Sequence, residues 1–268
     1  MIDRFRQLLG PKSKTIPAIP PGQRVYAVGD VHGRFDLFLS LAWAIEQDDA
    51  VRGPADTTVI LLGDLVDRGP DSNLVLHAAR DWQKRRKVRI ITGNHEEMFL
   101  KSLRKLEALS HFLRFGGYET ILSYGVESGD FDQTDISGAQ RLMVDVVPVA
   151  DIEFMETFED SIVIGDYLFV HAGIQPGKSL AEQHIQNMRW IREPFLSSNR
   201  DFGHIVVHGH TITDEPVFRS NRIGLDTGAF ASGKLTALGL EGTDRWLLEA
   251  SEREGSVVSS IRAVELAD

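Results

Sequence analysis

The chain has 268 residues, 42% of them apolar and 25% charged, with a formal charge of −10 and no cysteine. That length buries a large core as one domain, or as one domain with an inserted lid. The missing cysteines exclude disulfides, iron–sulfur clusters and thiolate nucleophiles, and the acidic balance argues against a nucleic-acid binder.

Residues 1–22 read as an N-terminal tail, packed on the body or mobile. A short amphipathic stretch, Phe5 to Leu9, runs into Gly10-Pro11 and then Pro17, Pro20 and Pro21, which resist regular structure. No uninterrupted apolar segment marks a secretory signal, and no apolar run reaches the roughly 18 residues of a membrane span. A cytoplasmic enzyme, with no membrane and no nucleic-acid partner, is the expectation.

From residue 23 onward strands and helices alternate. Val25–Val28 is a buried strand and Phe35–Ile45 the helix after it; Thr57–Leu62 and Val88–Thr92 are strands separated by a helix from Asn73 to Trp82. Between them, Arg85, Arg86, Lys87 and Arg89 read as a solvated helix end. Apolar residues at Phe99, Leu103, Leu106, Leu109 and Leu113 keep helical period from His95 to about Phe115. The stretch from about 101 to 160 is the expected lid. Within it, Phe112 and Phe115 are expected to pack while Arg114 stays solvated, with substrate recognition by stacking or charge as the competing reading. Later strands follow in quicker succession: Ile162–Ile164, Leu168–Val170, Ile205–Val207, Arg222–Leu225, Leu235–Leu240 and Trp246–Leu248. The pattern is α/β early and mixed or antiparallel late.

Five motifs end five of these strands: Gly29-Asp-Val-His-Gly33, Gly63-Asp-Leu-Val-Asp-Arg-Gly69, Gly93-Asn-His-Glu96, His171-Ala-Gly173 and His208-Gly-His210. Ligands of α/β sheets bind at that edge, and glycines at 29, 33, 63, 69, 93, 173 and 209 let the chain turn there. The donors are Asp, Asn and His, a mixed oxygen and nitrogen set that suits Mn, Fe or Zn better than Ca. Asp30 and His32, two residues apart, can grip one ion. The Asp64 carboxylate can bridge two, and Asn94, His171 and one histidine of the His208–His210 pair can complete a second site. Two such ions can hold a hydroxide between them for displacement at phosphorus. His95 is a candidate general acid oriented by Asp67. Arg68 is a candidate phosphate clamp, and Arg192 is either a second clamp or a surface ion pair. Asp226 also ends a strand, with its role open.

In this order, over roughly Val25 to Gly233, the blocks resemble the phosphoprotein phosphatase branch of the calcineurin-like metallophosphoesterases. The resemblance implies a central mixed β-sandwich flanked by helices, with a helical lid, spanning 23–268. It implies a first metal on Asp30, His32 and Asp64, and a second on Asp64, Asn94, His171 and His210, favouring His210 over His208. Two Mn ions are the first choice. It further implies an acid dyad of His95 with Asp67, phosphate-binding Arg68 and Arg192, and direct attack by a metal-bridging hydroxide without a phosphoenzyme.

Leu65, Thr92 and Ala172 stand where eukaryotic members usually carry Tyr, Arg and Gly, as in the bacterial and phage branch. Ile223–Gly228 replaces the eukaryotic C-terminal segment, so eukaryotic regulators do not carry over. The expected substrate is a phosphoprotein, at phosphoserine or phosphothreonine, or a small phosphoester. Dinucleoside polyphosphate hydrolysis is the alternative, although enzymes of that class tend to carry Ala at Asp67 and Asp at Glu96. An inactive metal-binding regulator is the second alternative; intact His95, Asp67, Arg68 and Arg192 weigh against it.

Overall fold

The computed structural model describes residues 16–264. Phe5 to Leu9 of the expected tail therefore lie outside the described residues. Residues 16–22 of that tail are tied to the body: Ile19 is buried, its N–H donates to the Gly242 carbonyl, and Ala18 and Asp166 exchange bonds of 2.9 and 3.1 Å.

Two mixed sheets face each other. The first runs β11-β10-β9-β1-β2-β3, with β1 (Gln23–Val28), β2 (Asp56–Leu61), β3 (Val88–Ile90), β9 (Lys234–Glu241), β10 (Asp244–Arg253) and β11 (Ser256–Ala263). Its β1, β2 and β3 are parallel; the other pairings are antiparallel. The second runs β4-β5-β6-β8-β7, with β4 (Ser161–Ile164), β5 (Tyr167–Val170), β6 (Ile205–His208), β7 (Val217–Phe218) and β8 (Arg222–Gly224). Here β5, β6 and β8 are parallel, while β4 and β7 close the sides antiparallel.

Period-two alternation sorts each strand between two cores. Val25 and Ala27 of β1 point into the seam between sheets, against Tyr167, Phe169, Val207, Ile223 and Leu238. Tyr26 and Val28 point the other way, under α1 (Phe35–Arg52) and α2 (Ser72–Arg85), among Leu37, Phe38, Leu41, Val75 and Leu76. Burial on both faces is why these strands read as continuous apolar runs.

The expected helix from His95 to Phe115 is interrupted. Instead α3 (Asn94–Ser102) and α4 (Leu106–Phe112) fold back on each other, with the rings of Phe99 and Phe112 5.4 Å apart. The helical period was real, but the tertiary contact it serves lies across a bend. A wide turn follows at Leu113–Gly117, where Phe115 and Gly116 leave helical dihedrals. Helices α5 (Tyr118–Ser123), α6 (Ser128–Asp132), α7 (Ile136–Val146) and α8 (Val149–Glu156) complete the insert. Phe112 is buried and Arg114 exposed, but Phe115 is 43% exposed, against the expectation that it packs. Two short helices, α9 (Ile185–Trp190) and α10 (Ala229–Ser232), lie in loops of the second half.

In the basic run 85–89, Arg85 is exposed as a solvated helix end would have it, while the other three basic residues are ion-paired. Arg86 binds Glu46 and Asp49, Lys87 lies 3.0 Å from Asp56, and Arg89 pairs with Glu159. No helix among the described residues is long and apolar enough to cross a membrane.

Candidate active site

The motif residues follow the carboxyl ends of β1, β2, β3, β5 and β6, and their loops meet at one place. Six non-glycine residues among those described have positive φ: His32, Asp64, Asp67, Arg68, His210 and Glu254. Five of them are residues that the motifs single out. Left-handed backbone at a non-glycine residue is strained, and here the surrounding loops enforce it. Glycines act by absence as well as by turning. A Cβ on Gly93 would sit 2.1 Å from the Asp64 carboxylate, and one on Gly209 would sit 1.9 Å from that of Asp30. These two glycines are needed for close approach, not for the sharp turn that the sequence suggests.

Asp64 is the hub. Its Oδ2 lies 3.4 Å from His171 Nε2, 3.7 Å from His32 Nε2 and 3.9 Å from His95 Nε2. Two triads of donor atoms share it: His32, Asp64 and His95, and Asp64, His171 and His210. Asp30 joins from the side by accepting the His210 N–H at 2.9 Å. Asn94 Oδ1 lies 3.0 Å from His171 Nε2. All six expected metal ligands are thus brought together. Arg192 is not: it is exposed on the loop after α9, although its charge helps hold down the His210 pKa.

The donors fit divalent metal. The Nδ1–H groups of His32 and His171 donate to the carbonyls of Val66 (2.9 Å) and Leu62 (2.8 Å), which aims each Nε2 at Asp64. Backbone carbonyls orient metal-binding imidazoles in this way. Asp30 Oδ1 and His210 Nε2 are buried without a hydrogen-bond partner, a costly state that a cation relieves. The electrostatics agree. Burial and the neighbouring Asp226 raise the Asp30 pKa. Asp64 is buried too, yet the charges of His171 and His95 hold its pKa far below the usual carboxylate range. His171 opposes its own burial through Asp64 and rises to about 10, while burial lowers His210 to about 3. Burial and the neighbouring charges together shift each group strongly, as in sites built for a cation.

Beside this centre stands the dyad. His95 Nδ1 donates to Asp67 Oδ2 at 2.6 Å, with both side chains buried. Its Nε2 faces the pocket and accepts from Arg68 Nη2 at 3.1 Å, while Arg68 Nη1 donates to His32 Nε2 at 3.0 Å. Phe230 of α10 lies 4.7 Å below the Arg68 guanidinium and 5.4 Å from the His32 ring, edge-on to it. Asp226 is buried, and its Oδ1 accepts the Gly228 N–H. Burial lifts its pKa to about 6, with Asp64 adding to the rise. His208 points away, against Phe195, and burial lowers its pKa to about 4.

Three residues in and around the site escaped the sequence. Glu96 was noted only as a mark of substrate class, yet its carboxylate takes the N–H groups of Asp64, Leu65 and Gly93 at 2.9, 2.7 and 2.8 Å. Its position at the third residue of α3 is a capping-box signal that could have revealed this. Thr120 and Phe230 carried no local signal, since both arrive from distant segments.

The comparisons agree with the geometry. Residues 23–246 match the model of the calcineurin-like phosphoesterase family. The asymmetrical bis(5′-nucleosyl)-tetraphosphatase PrpE of Anoxybacillus flavithermus is 26% identical over 79% of this chain and 88% of its own. Serine/threonine-protein phosphatase 2 of Salmonella typhimurium is 25% identical over 80% and 91%. The cold-active protein-tyrosine phosphatase of a Shewanella species shares the fold, with a TM-score of 0.56 at 20% identity over 92% and 84%. The chain belongs to the calcineurin-like phosphoesterase family, a family of dinuclear metal sites.

Proposed function

We propose that the chain is a phosphatase for phosphomonoesters, first of all phosphoserine and phosphothreonine in proteins, and that His95 protonates the departing alkoxide. The observation that carries the reading is the buried 2.6 Å bond between His95 and Asp67. An alkoxide is a poor leaving group that needs a proton; a polyphosphate leaves unaided. An acid dyad is therefore worth building for the first substrate and not for the second.

Asp30, His32 and Asp64 would hold one divalent metal, and Asp64, Asn94, His171 and His210 the other, with Mn as first choice and Fe or Zn as alternatives. When bound, the two ions supply Lewis acidity toward phosphate oxygens and lower the pKa of water. Asp67 holds the Nδ1–H of His95, so His95 serves as the acid in its imidazolium form: Nε2 takes up a proton from water and then delivers it to the leaving oxygen. In the free site Nε2 accepts from Arg68, so Arg68 must turn its N–H groups elsewhere before His95 can donate. The incoming phosphate oxygens are the natural acceptors, and the Phe230 face keeps the guanidinium beside them as it turns. Arg192, exposed on the loop after α9 and close enough for its charge to act on His210, is the candidate for a second phosphate contact.

A second reading, dinucleoside tetraphosphate hydrolysis, draws support from the PrpE relative. It also draws on an exposed Phe115 beside His111, ring centres 4.5 Å apart and planes tilted by 48°, whose free face could take a base.

One panel decides between them. Mn-loaded protein is assayed on phosphoserine, phosphothreonine and phosphotyrosine peptides and on diadenosine tetraphosphate. The highest kcat/KM is expected on the first two; a tenfold preference for the dinucleotide, roughly 1.4 kcal/mol, would replace this reading by the second. His95→Asn is expected to cut turnover on phosphoserine peptides by roughly 10²–10⁴. It should cost p-nitrophenyl phosphate much less and leave metal content unchanged.

A further inference from the structure

The helical insert reaches into the acid dyad, and nothing in the chemistry above uses that contact. Its turn at Leu113–Gly117 and helix α5 grip the loop 67–73 at several points. The Arg68 N–H donates to the Gly116 carbonyl (2.9 Å), and the Asn73 N–H donates to Ser123 Oγ (3.2 Å). Between these two, the Thr120 hydroxyl donates to Asp67 Oδ1 at 2.6 Å, on the carboxylate oxygen that His95 leaves free. The Asp67 N–H is shared by Thr120 Oγ1 (2.9 Å) and Ser72 Oγ (3.0 Å), and the two hydroxyls lie 3.0 Å apart. Asp67, Ser72 and Thr120 are all fully buried.

Counting protons fixes the direction of this chain. The one Thr120 proton goes to the nearest and most basic acceptor, Asp67. The Ser72 proton then has Thr120 Oγ1 as its partner. The hydroxyls form a directed relay, Ser72 to Thr120 to Asp67, in which each bond strengthens the next. We infer that Thr120, supplied by the insert 53 positions along the chain from Asp67, is a positioning residue for the His95 acid, with Ser72 behind it. Without Thr120, Asp67 keeps no hydroxyl on Oδ1. The carboxylate is then free to rotate about its terminal torsion, which is soft, and the His95 ring loses its fixed aim. The insert is thereby part of the chemistry and not only a cover.

The inference rests on the acid role proposed for His95, and the test separates the two. Full-length, Mn-loaded Thr120→Val is expected to lower kcat on a phosphoserine peptide by about tenfold, one charged hydrogen bond's worth, with KM and metal content unchanged. On p-nitrophenyl phosphate, which needs little protonation, turnover should stay within about twofold of the parent. Thr120→Ser, which restores the hydroxyl, should recover the phosphoserine activity. In a His95→Asn background, Thr120→Val should add no further loss, because its effect passes through His95. Equal losses on both substrates in Thr120→Val, or additivity with His95→Asn, would overturn the inference and leave the acid role standing. Equal losses in His95→Asn alone would overturn both. Should Thr120→Val fail to fold, Ser72→Ala withdraws only the donor behind Thr120 and is read on the same pair of substrates. A selective loss on the phosphoserine peptide supports the relay, and an unselective loss or none overturns it.

Discussion

Each sheet contains three parallel strands, β1-β2-β3 in one and β5-β6-β8 in the other, yet their carboxyl-end loops carry different chemistry. The first sheet supplies Asp30, His32, Asp64, Asp67, Arg68, Asn94 and His95, which include candidate metal ligands and both members of the proposed acid dyad. The second supplies His171 and His210, with Asp226 beside them. The first set is tied together internally, because Glu96 accepts N–H groups from the loops after both β2 and β3. The second set is bonded to the first as well as within itself: His171 donates to the Leu62 carbonyl, the His210 N–H donates to Asp30, and the Gly209 N–H donates to the His171 carbonyl. A pocket across the seam of the sandwich thus has one side that carries the proposed acid and another, the docked side, that completes the proposed metal centre. Asp64 joins the two.

If that division is right, variants should sort by side. Asp64→Asn strikes both and has the largest expected effect. Metal content should fall below two ions per chain, and turnover on every substrate should drop roughly 10³-fold, several kcal/mol of charge stabilisation. Two ions retained at full affinity would show that Asp64 joins nothing. His210→Ala strikes only the docked side. Here roughly 10²-fold is expected, with metal loss and with equal penalties on phosphoserine peptides and p-nitrophenyl phosphate. A leaving-group dependence like that of His95→Asn would erase the distinction between the sides.

The smallest effect belongs to a control far from the seam. Asp49 accepts from Arg24 (2.6 Å), Thr57 (2.7 Å) and Arg86 at the base of the first sheet. Although burial opposes it, these bonds depress its pKa below 3.8. A carboxyl with a depressed folded pKa adds stability that is complete above its unfolded value and is lost as pH falls through the folded one. Asp49→Asn should therefore cost about 2 kcal/mol at neutral pH, seen in thermal melts, with turnover and metal content unchanged. The gap from the parent should narrow only below about pH 4. A gap that persisted in acid would remove the ion pairs from the explanation.

Much of the site was readable because catalytic loops at strand ends are short and local. Gly-Asp-x-His-Gly and Gly-Asn-His-Glu carry their geometry in consecutive residues, and each residue expected as a ligand lies in the cluster around Asp64. The insert was readable only as helical. Periodicity cannot show that the segment from His95 to Phe115 bends back on itself, because a bend keeps the apolar spacing and changes only what it packs on. Phe115 was misjudged for the same reason. Its backbone belongs to the turn whose Gly116 carbonyl accepts from Arg68, where the dihedrals leave the helical range and the helical spacing no longer says which side chain packs.

The sequence by itself determined the chemistry: which donor atoms exist, in what order, and at the ends of which strands. That follows from local rules of side-chain alternation and turn formation, which act over a few residues. Only the tertiary structure decided the partnerships between distant segments, such as Thr120 on Asp67, Phe230 under Arg68 and His210 on Asp30. Such bonds depend on how helices and loops pack after the sheets have closed, and a hydroxyl or a ring bears no mark in the chain of the neighbour it will meet.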